Sequence, residues 1–173
     1  MIDATASFEY HDEPGALNES LADIFGKSVE GWPDAIEGNA AGAHFRDLAD
    51  PAHCAPACIQ PALYADYQNI SADKDHGGIH TNSGIMNRAL SLVIMKMGQP
   101  LASERGIALT SLILDSMKQV TYATDSSLEE FAAGLTGYCL ARQKAGTLAL
   151  VQAGLCLDLE SSFSQTGLLS KPL

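Results

Sequence analysis

The sequence predicts a mainly α protein, a helical bundle of about five helices interrupted by one long loop. Three observations lead there. Apolar residues recur at helical spacing in several separate stretches, and Gly and Pro mark the ends of those stretches. Residues 32–74, by contrast, are rich in Gly, Pro, Ala and Asp and hold no sustained period, which reads as a long ordered loop with a short helical piece in it. A loop of that length in a compact domain is usually functional or wraps something.

The first helix is predicted from Pro14 to Glu30. Pro14 suits the opening turn, where its missing N–H leaves no bond unmade, and Gly31 with Pro33 ends the run. Leu17, Leu21, Ile24 and Phe25 form its buried stripe. Asn82 to Met97 is apolar almost all round, the pattern of a central buried helix, and stops at Gly98 and Pro100. Ser103 to Tyr122 carries Ile107, Leu109, Leu112, Ile113 and Val120. Ser126 with Glu129, or Ser127 with Glu130, offers a capping-box start for a helix reaching about Lys144. Thr147 to Leu157 is the last short helix. The tail from Asp158 is polar apart from a final Leu-Leu pair and is expected to be loosely attached.

Bulk composition excludes several function classes. A chain of 173 residues, 46% hydrophobic and 18% charged, is one globular domain rather than a disordered segment. Its net charge of -11 leaves no basic stripe to neutralise a phosphate backbone, so nucleic acid is not an expected partner. No apolar run approaches the roughly 20 residues a membrane helix needs; the one around Leu90 to Met97 is broken by Ser91 and Lys96. Met1 to Tyr10 contains Asp3 and Glu9 and lacks the basic start and apolar block of a signal peptide. Four cysteines are too few for a disulfide scaffold. In an oxidising compartment they would pair as Cys54–Cys58 and Cys139–Cys156; four ordinary thiols is the other reading.

Two stretches place polar groups where a bundle does not need them. In Gly15-Ala-Leu-Asn-Glu-Ser-Leu-Ala-Asp-Ile-Phe-Gly26, Glu19 and Asp23 are four apart and project from one helical face. Such a pair alone is most often a solvated face, but two close carboxylates also suit a cation, one as ligand and one in support. In Asp75-His-Gly-Gly-Ile-His-Thr-Asn-Ser-Gly84, His80 sits at a loop-to-helix junction with Asp75 near enough to orient its ring. Gly77 and Gly78 supply the backbone freedom for the turn.

Together these stretches resemble the thermolysin-like zinc metallopeptidases. Members carry G-A-L-N-E-x-x-x-D-I-F-G followed by D-x-G-G-x-H-x-N-S-G-I; this sequence has GALNESLADIFG and DHGGIHTNSGI, in that order. The resemblance runs from Met1 to about Leu157, weakest over 31–74, with residues 158–173 outside it. It implies the fold of the family's C-terminal helical domain and, residue by residue, a set of roles. Glu19 matches the third zinc ligand of a His₂Glu site, the ligand set for which thermolysin is itself the standard illustration. Asp23 matches the carboxylate that fixes a ligand imidazole. His80 matches the histidine that stabilises the oxyanion, Asp75 its orienting partner, and Tyr10 the tyrosine that donates to the same oxyanion. Arg46 matches the arginine that binds the substrate carbonyl on the leaving-group side. Phe45 would help wall the apolar pocket for the residue after the scissile bond, and Asn18 would have a positioning role. The substrate implied is a peptide or protein, and an extracellular setting is expected from the resemblance.

One departure is large. The five histidines are His11, His44, His53, His76 and His80, and none has the H-E-x-x-H spacing that supplies two zinc ligands and the general base. Aligning Tyr10 and Thr5-Ala6 puts that motif's second histidine about two residues before Met1, so the chain is expected to start inside the active-site helix, with Met1 an internal methionine. With Glu19 alone, the chain is expected neither to bind zinc tightly nor to cleave peptides. Glu30 and Asp34 could hold one calcium ion, though a solvated acidic surface is the plainer reading. The cleft face bearing Tyr10, Glu19, Asp23 and His80 would lie open and favour self-association. The alternative to a zinc endopeptidase is a stand-alone helical module that has lost catalysis and serves in binding. A split enzyme, with its other half on a separate chain, is a third reading. Retention of Glu19, Asp23, Asp75 and His80 together favours the peptidase.

Overall fold

The computed structural model describes residues 7–30, 46–53, 59–97, 104–148 and 154–170. Among them are five α-helices, two short 3-10 turns and no strand. The helices are α1 (Asp12–Glu30), α2 (Asp75–Met97), α3 (Glu104–Gln119), α4 (Leu128–Lys144) and α5 (Leu155–Gln165). The mainly α architecture read from periodicity is the one observed.

The core is built around α2. Its Ile85, Met86, Ala89, Leu90, Val93 and Ile94 are buried, and so are Asn82, Ser83, Asn87 and Ser91 between them. A helix closed off on every side must have neighbours on every side. α1 packs along it with Leu17, Leu21 and Ile24 fully buried, and α5 covers it from another side. α4 closes the bundle through Leu128, Phe131, Ala132 and Leu135. It starts on the capping box of Ser127 and Glu130, the second of the two pairs the sequence offered. Glu13 of α1 adds to that start, accepting the Leu128 N–H at 2.9 Å with one oxygen and the Tyr64 hydroxyl at 3.0 Å with the other. Burial pushes the Tyr64 phenol above its ordinary range, with the adjacent Glu13 carboxylate reinforcing the shift.

The start of α2 differs from the expected helix at Asn82. Asp75, His76, Gly77 and Gly78 all have positive φ, from 48° to 90°, and regular helix follows from Ile79. The two glycines take this left-handed path readily, whereas Asp75 and His76 are strained in it. α3 stops at Gln119, short of the expected Tyr122, and its Ile107 faces solvent at 57% exposure.

The tail is the clearest correction. Residues from Asp158 are not loosely attached: α5 runs from Leu155 to Gln165 with Leu155, Cys156, Leu159, Ser162 and Phe163 buried. Thr147 and Leu148 are not helical; Gly154, at φ 84°, precedes the first turn. Leu155, Leu159 and Phe163 recur every four residues, a helical stripe hidden among polar neighbours. Past the helix, Gly167 takes φ 80°, the amides of Leu168 and Leu169 donate to the Phe163 carbonyl, and both leucines bury. A disulfide between Cys139 and Cys156 fastens α5 to α4. Cys54 and Cys58 lie outside the described residues.

The described parts of the long segment are docked onto α2. The Asn82 side chain pairs with the Gln68 backbone in both directions at 3.0 Å, as a neighbouring strand would. Gln60 donates through its side-chain amide to the His80 carbonyl and to the Ser83 hydroxyl. Its backbone N–H donates to the Pro51 carbonyl at 2.9 Å. Gly84 lies directly beneath: a Cβ there would sit 2.6 Å from the Gln60 Cβ and 2.7 Å from the Pro61 carbonyl oxygen. Gly84→Ala should therefore lose about 1–3 kcal/mol of stability in urea unfolding. Gly137→Ala, in open space on α4, should gain about 0.5–1 kcal/mol. Equal effects at the two positions would contradict this account of the docking.

Candidate functional site

The α1–α2 seam brings together most of the polar residues singled out in the sequence. Phe8 is buried against Tyr122 and Phe131, and the Glu9 N–H donates to the Thr124 carbonyl at 2.8 Å. This anchors the strand of chain that delivers Tyr10 to the first turn of α1. The Tyr10 hydroxyl donates to Glu19 Oε1 at 2.6 Å, and its ring lies 5.6 Å from that of His76. The other carboxylate oxygen, Glu19 Oε2, faces Arg46 Nη2 at 3.4 Å and His80 Nε2 at 3.3 Å. Three donors from three segments thus converge on one carboxylate. The hydrogen bond to Glu19 raises the Tyr10 phenol above its ordinary pKa, with burial adding to it.

Asp23, one turn further along α1, is the second anchor. Its Oδ2 accepts from Arg46 Nη1 at 2.6 Å and from Asn87 Nδ2 at 2.9 Å. Arg46 therefore bridges Asp23 and Glu19, and with its side chain 11% exposed it is held rather than swinging in solvent. Asn18 is half-buried beside Glu19, and its side chain makes no hydrogen bond to another described residue. Phe45 and Asp34 lie outside the described residues, and Glu30 ends α1.

Asp75 does two things at once. Its Oδ1 lies 2.5 Å from His80 Nδ1, while Oδ2 accepts the Thr81 N–H and hydroxyl, each at 3.0 Å. It caps the first regular turn of α2 with the same carboxylate that fixes the His80 ring. His80 then has an acceptor-only carboxylate at each ring nitrogen, Asp75 on Nδ1 and Glu19 on Nε2. Whichever ring nitrogen carries a proton therefore has a carboxylate oxygen in front of it. Burial raises the Asp75 pKa, but the hydrogen bonds from His80 and Thr81 outweigh it and hold the carboxyl below its ordinary value.

Sequence reading did not single out Asn87, Ser20, Thr81, Gln60 or His76. Asn87 carried a signal, as a polar residue in the middle of a helix read as apolar all round. Ser20, beside Glu19, carried none.

The zinc that the motifs imply can be tested against these side chains. Both oxygens of Glu19 already face hydrogen-bond donors, and among the described residues no three of His, Cys, Asp and Glu are placed to hold a metal. On their own, the described residues do not fit a tetrahedral zinc ion, which needs further nitrogen or sulfur ligands.

Comparison with known proteins bears on the same residues. The family model of the thermolysin metallopeptidase α-helical domain matches residues 6–149. A neutral protease, NprE, of Bacillus pumilus is 39% identical over 98 residues, covering 54% of this chain and 31% of that protein. Thermolysin of Alicyclobacillus acidocaldarius is 33% identical over 132 residues, covering 70% of this chain and 22% of that protein. The chain thus spans less than a third of the length of either relative. Among solved structures, the precursor of protealysin, a metalloproteinase from Serratia proteamaculans, superposes with a TM-score of 0.75 at 24% identity. The match covers 97% of this chain and 54% of that one, and likens the two in fold.

The Asp75 carboxyl gives a pH prediction. A carboxyl whose folded pKa is depressed stabilises the fold above its ordinary value of 3.8, and that contribution is lost as pH falls through the folded value. Asp75→Asn should be less stable than the wild type at neutral pH, and the difference should vanish in acid. Urea unfolding from neutral pH down to about pH 2 checks this; a deficit that persists unchanged in acid would contradict it.

Proposed function

The chain belongs to the thermolysin metallopeptidase family as its α-helical domain, and from that premise we propose that it supplies the substrate-binding and oxyanion-stabilising side of a zinc metalloendopeptidase. The observation that carries this reading is the convergence of Tyr10, His80 and Arg46 on the single carboxylate of Glu19. Hydrolysis of a peptide needs donors aimed at the carbonyl oxygen as it becomes an oxyanion, and preorganised donors of this kind are the largest single contribution in most such sites. The Tyr10 hydroxyl and the His80 ring N–H are two such donors on one open rim, 48% and 47% exposed. Arg46, beneath them, binds the carbonyl on the leaving-group side.

Zinc is the metal of this reading, with Glu19 as one of its ligands and the remaining ligands and the general base coming from an H-E-x-x-H segment outside these residues. Asp23 fits the supporting role: Oδ2 takes both described donors, and Oδ1 accepts from no described residue, which leaves it to face an incoming imidazole. The substrate is a peptide with an apolar residue after the cut. An extracellular setting goes with the reading and is supported by the Cys139–Cys156 disulfide, since such bonds persist in oxidising compartments. Self-association through the open rim belongs to the same proposal.

The test joins the chain to the H-E-x-x-H segment of a relative and measures peptide hydrolysis. Activity should appear only in the joined protein and should prefer an apolar residue after the scissile bond. His80→Ala should lower kcat by about 10²–10³ with little change in KM, because the lost hydrogen bond forms fully only in the transition state. A joined, folded and zinc-loaded protein without peptidase activity would overturn the proposal, as would full activity in His80→Ala.

A further inference from the structure

We infer that Asn87, which hydrogen-bonds to neither Glu19 nor Arg46, is a positioning residue that sets both through Asp23. Asn87 is fully buried on α2, between the core residues Met86 and Ala89. An apolar side chain of the same size could fill that volume but would leave the buried Ser20 hydroxyl without its partner and Asp23 with one donor fewer. Both ends of the amide are used. Its Oδ1 accepts from the Ser20 hydroxyl at 2.7 Å, and Ser20 too is fully buried. Its Nδ2 donates to Asp23 Oδ2 at 2.9 Å.

The direction of this relay is fixed by chemistry. A carboxylate only accepts, so the NH₂ must face Asp23, and a flipped amide would set oxygen against oxygen. The Ser20 hydroxyl then completes the remaining acceptor. Asp23 Oδ2 consequently receives two donors, Asn87 and Arg46, which together fix the rotation of its carboxylate. Arg46 is positioned in turn, with Nη1 on Asp23 and Nη2 reaching Glu19.

The relay also fixes the register of the two helices. Glu19 faces His80 and Asp23 faces Asn87, so two contacts one turn apart on α1 meet two groups two turns apart on α2. Sliding either helix would leave a buried amide unpaired, a penalty well above the thermal energy. This inference rests on the peptidase reading for the purpose of Asp23, Arg46 and Glu19, but its test does not use activity.

The test is ¹⁵N NMR of the full chain without added metal or substrate. In the wild type, the Asn87 side-chain NH₂ should exchange slowly with solvent, and the Arg46 guanidinium should give separate, slowly rotating Nη signals. In Asn87→Leu, with helix content and melting retained, the Arg46 Nη signals should merge. In Ser20→Ala, which removes a single hydroxyl and keeps the test valid if the first variant fails to fold, the Asn87 NH₂ should exchange about tenfold faster, the factor a single such hydrogen bond is worth. Asn87→Leu should add nothing further to Arg46 in an Asp23→Asn background, since the route runs through Asp23. Separate Arg46 signals in folded Asn87→Leu, or unchanged Asn87 exchange in Ser20→Ala, would overturn the inference. Absence of peptide hydrolysis in the joined enzyme would instead overturn the peptidase reading and leave this result standing.

Discussion

The closeness of α1 to α2 at one glycine underlies the site. A Cβ on Gly15 would lie 2.4 Å from the Ile79 Cγ2 atom, closer than any real contact. Only glycine lets the first turn of α1 lie against the first regular turn of α2. Glu19 is one turn beyond that crossing on α1 and His80 is the residue after Ile79 on α2, so the crossing brings Nε2 and Oε2 to 3.3 Å. A wider separation there would part the pair, and with it the donors that converge on Glu19. The left-handed turn of Asp75 to Gly78 works towards the same end. It reverses the chain sharply enough for Asp75 to cap α2 from below its own first residues while holding the His80 ring. At Gly77 a Cβ would meet the Asp12 carboxylate at 2.2 Å, so this turn too is pressed directly onto the start of α1.

The second layer of organisation is the way α2 holds the segment that precedes it. Asn82 pairs with the Gln68 backbone, Ser83 receives Gln60, and Gly84 leaves room for Gln60 and Pro61. Arg88 donates to the Ala49 carbonyl, close in sequence to Arg46. Asn82 and Ser83 therefore act on the segment that precedes α2. Their burial is affordable in free energy because nearly every group finds a partner, and such fully satisfied polar networks specify a unique arrangement. Arg46 reaches Glu19 because its own segment is tied to the helix that carries His80.

Much of this was legible in the sequence, and the reasons differ by element. The helices α1, with its buried Leu17, Leu21 and Ile24, and α4, with its Ser127–Glu130 capping box, follow from local rules, although α1 starts at Asp12, two residues before the predicted Pro14. Glu19, Asp23, Asp75 and His80 stood out because two motifs place charged and flexible residues where a bundle has no use for them, whereas Tyr10 and Arg46 lie outside both motifs and came only with the family resemblance. The α5 helix escaped because Asp158, Glu160, Ser161, Ser162 and Ser164 interrupt its apolar residues and read as a polar tail, although Leu155, Cys156, Leu159 and Phe163 share one buried face. The pairing of Cys139 with Cys156 stood only as one of two readings, since spacing does not reveal whether α4 and α5 lie side by side. The bond between Ser20 and Asn87 was illegible for a deeper reason: the two are 67 residues apart in sequence, and no local pattern records a buried hydrogen bond between helices, so Asn87 stood out only as a polar residue in an apolar helix.

The physical balance at the centre is one of donors against acceptors. Tyr10, Arg46 and His80 all face Glu19, whose carboxylate is under the proposed function also a metal ligand. A metal ion and these donors compete for the same two oxygens, so a tightly held ion requires further ligands from beyond the described residues. The most direct measurement is the zinc content of the purified 173-residue chain after equilibration with a slight excess of zinc and removal of the loosely held ion. The account predicts far less than one zinc per chain, with one per chain restored when an H-E-x-x-H segment is joined. One tightly held zinc on the chain alone would contradict it.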